Sequence, residues 1–235
     1  MINALILSGQ GINSHVETAY AFEQGGANST IMDIEDFLRL ESLDDFHILA
    51  FPGGFSFGDE IRSGKLVAEK IKAHQSENIK KFIDAGKPII GICNGFQILV
   101  QLGVFETGPR SITLAQNNHG KFLNQWVEME TQSNNSFWLQ GLPEKVKMPM
   151  RHKEGRLVVK EDITDFKPVF KYTDDVNGSF DQIAGITNSK GNVLGLMPHP
   201  EAGLSPDLFQ DHEELAEFNQ LIFTNAIKYI ERKNS

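Results

Sequence analysis

A single cysteine, Cys93, in 235 residues leaves no partner for an internal disulfide and no multi-cysteine zinc site. Basic residues are in the minority. Lys and Arg number 22 against 31 Asp and Glu, a net charge of −9, so the surface repels phosphate backbones and no nucleic-acid partner is expected. The densest basic stretch, Lys145 to Lys160, is interrupted by Glu154 and apolar residues. No apolar run approaches the ~18 residues of a membrane span, so no membrane partner is expected either. The N-terminal Met1 to Gly9 lacks the basic and long apolar regions of a signal peptide and reads as a strand. The tripeptides at Asn28, Asn134 and Asn177 therefore carry no expectation of glycosylation, and a cytoplasmic location is expected. A G-x-x-x-x-G-K-[ST] loop and any other phosphate-cradling glycine run are missing. The histidines and carboxylates lack metal-ligand spacing. No cofactor and no metal are expected on this chain.

What is present is the balance of a globular protein, 40% apolar and 23% charged residues, with length for one sizeable core; residues 1–235 read as a single domain. Ala4–Leu7, Thr30–Met32, Phe46–Phe51 and Ile89–Ile92 read as short buried strands. Between them lie a helix capped by Asn13 or Ser14, with Val16, Ala19, Tyr20 and Phe22 on its apolar face, and helical stretches from Ser63 to residue 85. Asn94–Leu102 follows Ile92 directly as a helix. Strands alternating with helices predict a mostly parallel central sheet covered on both faces, an α/β fold of the flavodoxin-like kind. From about residue 111 to 197 alternation such as Gln125–Glu130 and Leu157–Val159 predicts an antiparallel β-rich insertion. His212–Lys233 closes the chain as a helix. In parallel sheets chemistry gathers at the carboxyl ends of strands, which points to the segments after Leu7, Phe51 and Ile92.

After Ile92 stands Gly91-Ile92-Cys93-Asn94-Gly95, a G-x-nucleophile-x-G elbow with cysteine as the nucleophile. Side chains at the flanking glycines would collide with the neighbouring strand and helix. The helix N-terminus offers backbone N–H groups and positive potential, which favour a thiolate and a developing oxyanion. A lone cysteine is often just a small core residue; the glycine frame, the strand before it and the helix after it turn the reading to a nucleophile. Such a thiol needs a base with an orienting carboxylate. His152-Lys153-Glu154 and His199-Pro200-Glu201 each set a histidine two residues before a glutamate. His199 follows the strand-like run Asn192–Pro198, which can carry it into the cleft. His152 sits among Arg151, Lys153 and Arg156, neighbours that suit anion binding or a partner surface. The chemistry favours His199 with Glu201. Phe51-Pro52-Gly53-Gly54-Phe55 places bare backbone at a strand end, where a glycine N–H can face a carbonyl; a plain tight turn is the other reading.

Phe51-Pro52-Gly53-Gly54, Gly91-Ile92-Cys93-Asn94-Gly95-Phe96-Gln97 and Met197-Pro198-His199-Pro200-Glu201 together resemble the class I glutamine amidotransferases. Pro52–Asp59 with Arg62 and Gly64, Asn94, and Gly191–Gly195 are similar to the glutaminase subunits that serve purine biosynthesis. The resemblance spans essentially the whole chain. It implies that Cys93 attacks the carboxamide of L-glutamine while His199, oriented by Glu201, moves protons. It further implies an oxyanion hole from the N–H groups of Asn94 and Gly54, a glutamine contact from Gln97, which a helix-packing role would equally explain, and ammonia passed to an ATP-dependent synthetase subunit. That synthetase, with ATP and magnesium on its own chain and a small accessory subunit beside it, would convert formylglycinamide ribonucleotide to the amidine. Two departures bear on the partner-facing surface. The family's His-Gly-Glu-Gly is here His152-Lys153-Glu154-Gly155, and tyrosine and leucine are commoner around Asp59 than this chain's Phe57, Glu60 and Ile61. The alternatives are a cysteine hydrolase on a similar sheet, a glutaminase for another amidotransferase, and a catalytically silent regulatory subunit.

Overall fold

A computed structural model describes residues 1–9, 11–54, 63–106, 111–132, 136–160, 165–205 and 213–233. The Phe55–Arg62 part of the glycine-rich motif, Asn134 with Asn135, and His212 lie outside the described residues. The first half winds as expected. Strand β1 (Asn3–Ser8) leads to helix α1 (His15–Gln24), edge strand β2 (Asn28–Asp33) and the single turn α2 (Ile34–Phe37). Then come β3 (Ile48–Phe51), α3 (Ser63–Asp84), β4 (Ile89–Ile92) and α4 (Asn94–Leu102). α3 stops where Gly86 takes φ 67° and the Lys87 N–H returns to the Phe82 carbonyl, a C-cap that glycine fills without strain.

The second half holds β5 (Ile112–Gln116), β6 (Leu123–Thr131), β7 (Lys145–His152), β8 (Glu154–Val159), β9 (Lys167–Tyr172), β10 (Ile183–Thr187) and β11 (Val193–Leu196), and α5 (Glu213–Lys233) closes the chain. The main sheet runs β2-β1-β3-β4-β11-β10-β9-β6-β7, with β5 and β8 forming a separate ribbon. From β2 to β11 every pairing is parallel; from β11 to β7 every pairing is antiparallel. The parallel strands β3, β4 and β11 are buried throughout, as a sheet covered on both faces requires. α1 packs with α5, while α3 packs with α4, and right-handed crossovers set the two pairs on opposite faces.

One expectation about α1 is corrected. Val16 and Tyr20 are 59% and 52% exposed, and the buried residues are Thr18, Ala19, Ala21 and Phe22. Four residues apart, Val16 and Tyr20 share one face of the helix, and that face is turned to water.

The antiparallel half does not lie flat beyond the parallel half. Its last strand, β7, comes back to the middle of the sheet. The His199 N–H, just past β11, donates to the Pro149 carbonyl at 2.7 Å, and the Cys93 thiol lies 3.7 Å from the Arg151 carbonyl. Met129, Met148 and Met150 are fully buried among these strands. The carboxyl ends of β4, β11 and β9 and the His152 end of β7 thus meet at one edge.

Candidate active site

Cys93 sits between β4 and α4 at φ 52°, ψ −105°, only 5% exposed. A non-glycine residue in such a conformation costs about 1–3 kcal/mol and needs its surroundings to hold it. They do so through the Cys93 N–H, which donates to the Leu196 carbonyl at 2.8 Å, and the Cys93 carbonyl, which accepts the Gln97 N–H at 3.1 Å. The flanking glycines are required sterically. A Cβ on Gly95 would drive into the Phe51 backbone, and one on Gly91 would lie 2.7 Å from the Gly95 carbonyl oxygen. The collision expected from the sequence is the one the fold contains. Asn94, 1% exposed, is the first residue of α4, so its N–H is among those a helix leaves without an internal acceptor.

His199 and Glu201 follow β11, on a 3₁₀ turn spanning Pro200–Gly203. The turn shortens the path so that a side chain two residues on reaches back, and His199 Nδ1 shares a 2.6 Å hydrogen bond with Glu201 Oε1. Both side chains are almost wholly enclosed, 3% and 0% exposed. Burial alone would disfavour the His199 imidazolium, but the Glu201 carboxylate and the Cys93 sulfur override it and raise the pKa. Nε2, the nitrogen turned away from Glu201, is buried without a hydrogen-bond partner.

Gly53 shows how close nucleophile and base lie. A Cβ placed there would be 2.6 Å from His199 Cε1 and 3.5 Å from Cys93 Cβ. One point therefore touches both residues, and only a glycine leaves it open. The Gly53 carbonyl accepts the Asn13 and Ser14 N–H groups at 3.2 and 3.3 Å, which pins the loop against the start of α1. Gly54, at φ 148°, bridges to Ile12 and packs so tightly on the Gly11 carbonyl that a side chain has no room.

The second His-x-Glu pair is here as well, in another form. His152 is 2% exposed with both ring nitrogens unpartnered, and its ring lies against Gly155, where a Cβ would be 2.5 Å from Nδ1. Burial, then the nearby charges of His199 and His119, lower its pKa to about 3. The expectation of an anion-binding or partner-facing residue is therefore corrected: the cationic neighbours point elsewhere, and the imidazole is an enclosed neutral group. Gln97 is half-buried, and its side-chain amide donates to the Glu154 carbonyl at 2.7 Å, so it ties α4 to the turn beyond β7. Tyr172, at the end of β9, is 2% exposed with an unpartnered hydroxyl; neither it nor the Arg151 carbonyl has any signature in the sequence. Among the described residues no cluster of His, Cys, Asp or Glu could hold a metal ion, and no helix is long and apolar enough to cross a membrane.

Cys93, His199, Glu201, Gly53, Gly54, Asn94 and Gln97 are thus gathered at one edge of the sheet, and comparison with known proteins agrees with what they suggest. Residues 1–230 match the CobB/CobQ-like glutamine amidotransferase domain. The phosphoribosylformylglycinamidine synthase subunit PurQ of Methanococcus maripaludis strain C5 is 35% identical, covering 97% of this chain and 98% of the relative. The PurQ subunit of Thermotoga maritima is 36% identical over 94% of this chain and 95% of its own length. A chain in the solved structure of PurLQS from Thermotoga maritima superposes with a TM-score of 0.82 at 33% identity, covering 97% of this chain and 99% of that one. The chain is a glutamine amidotransferase, and it belongs to the family of the phosphoribosylformylglycinamidine synthase subunit PurQ.

Proposed function

We propose that the chain is a glutaminase subunit that hydrolyses L-glutamine at Cys93 and passes the ammonia to an ATP-dependent synthetase subunit. The observation that carries the reading is the shared space at Gly53, which places a strained thiol and a carboxylate-bound imidazole against one point. The Cys93 thiolate adds to the glutamine carboxamide carbon, and the N–H groups of Asn94 and Gly54 receive the developing oxyanion. His199, charged and held by Glu201, gives its proton to the departing nitrogen, so the C–N bond breaks and ammonia leaves a glutamyl thioester. Water then attacks the thioester as neutral His199 takes its proton, glutamate is released and the thiolate returns. Gln97 supports the substrate's amino-acid end, through its bond to the Glu154 carbonyl as much as by direct contact.

The partner is the synthetase that amidates formylglycinamide ribonucleotide in purine biosynthesis, with a small accessory subunit; their relatives stand together in the PurLQS assembly of Thermotoga maritima. ATP and magnesium belong to the synthetase, and this chain, a single domain acting in the cytoplasm, needs no cofactor, nucleic acid or membrane. The test is ammonia release from glutamine by wild type and Cys93→Ala, with and without the synthetase. Turnover by wild type, raised by the synthetase and absent from Cys93→Ala, is expected; turnover that survives Cys93→Ala defeats the assignment. His199→Ala is expected to abolish turnover, and its loss in His152→Ala with His199→Ala active would reverse the choice of base.

A further inference from the structure

The phenol of Tyr172 is an unspent hydrogen-bonding group. It is 2% exposed, its hydroxyl has no partner, and it ends β9 at the edge where β4, β11 and β7 bring Cys93, His199 and His152 together. A buried hydroxyl left unpaired costs about 1–3 kcal/mol, and a native fold keeps one where something else completes it. The interior around it is apolar: Met129 stands opposite across the β6–β9 pair, and Met148 and Met150 are fully buried on the next strand. The Cys93 charge reaches the phenol, which with burial as the larger cause holds the proton in place, yet the sulfur makes no hydrogen bond to it. His152, also buried, neutral and unpartnered, stands at the same edge. Cys93, His199 and the Gly53 loop come from the parallel half, whereas Tyr172 ends a strand of the antiparallel half, as His152 does.

We infer that the Tyr172 hydroxyl is a substrate-binding group of this site, completed by a hydrogen bond to a polar atom of the bound glutamine. The inference rests on the glutaminase reading above. A neutral donor suits an amide-bearing ligand beside a thiolate, because a second charge there would compete with the nucleophile. Without it the pocket loses one hydrogen bond to substrate, worth about a factor of ten for a bond at the upper end of the neutral range.

The substitution is Tyr172→Phe, which removes one oxygen and keeps the ring, made in the full chain assembled with its synthetase. The readouts are the KM and kcat for glutamine, with two rates of Cys93 alkylation, one by a diazo-ketone glutamine analogue and one by iodoacetamide. The expected result is a KM raised roughly tenfold, slower labelling by the analogue to a similar extent, and unchanged labelling by iodoacetamide. Equal slowing of both reagents would show a merely disturbed thiol and overturn the inference. So would an unchanged KM and unchanged analogue labelling. If wild type itself neither turns over glutamine nor takes the analogue, the glutaminase reading fails instead, and the two failures are told apart.

Discussion

The site depends on single atoms at its glycines. At Gly53 the missing Cβ is the space shared by His199 and Cys93, and its backbone is not in the left-handed region. Gly53→Ala is thus expected to fold while displacing the imidazole. A misplacement of ~1 Å costs on the order of a hundredfold in rate, so kcat/KM should fall about that much with a near-unchanged melting temperature. Gly95→Ala is the converse case, since its Cβ meets the fixed Phe51 backbone. A loss of about 3 kcal/mol is expected in denaturant unfolding, the upper range for overpacking.

The two enclosed histidines set a pH dependence of opposite signs. His152 is depressed to about 3 in the fold from about 6.5 unfolded. Between those values the unfolded chain binds a proton the native one refuses, and stability falls as pH drops below ~6.5. His199 is raised, so its stabilisation is complete below ~6.5 and is lost as pH climbs through its folded value. On these two groups alone stability peaks near pH 6.5. His152→Asn is expected to flatten the acid limb of a plot of melting temperature against pH and leave the alkaline limb in place.

Among the elements, β4 and α4 were legible to the residue, because an apolar run, a glycine frame and a following amphipathic stretch are all local in sequence. The His199–Glu201 pair was equally legible, its spacing being short. The path of β7 was not. Strand order is decided by side chains far apart in the chain, and alternation at Gln125–Glu130 identifies a strand without naming its neighbours. His152 was misjudged for the same reason: its charged sequence neighbours were visible, while the Gly155 backbone against its ring was not. Tyr172 had no local signal at all. The Gln97 bridge belongs to this scale, since it joins α4 to the β7–β8 turn. Gln97→Leu is expected to cost about 1 kcal/mol in denaturant unfolding, the worth of one neutral hydrogen bond. It should also lower kcat/KM for glutamine as the turn over the thiol loosens.

For the molecule as a whole, the sheet is a parallel half that carries the nucleophile, base and oxyanion loop, joined to an antiparallel half that bends round to roof them. The class of fold followed from the alternation of strands and helices; the roof did not. The two latches of β7, Pro149 to the His199 N–H past β11 and Arg151 to the Cys93 thiol, hold the roof down. They also impose a schedule on biosynthesis. The ribosome makes the reactive sulfur first, the roofing strand next and the imidazole with its carboxylate after both. A nascent polypeptide therefore carries the thiol before the His199–Glu201 pair exists, and glutamine is safe from it until that pair has been made.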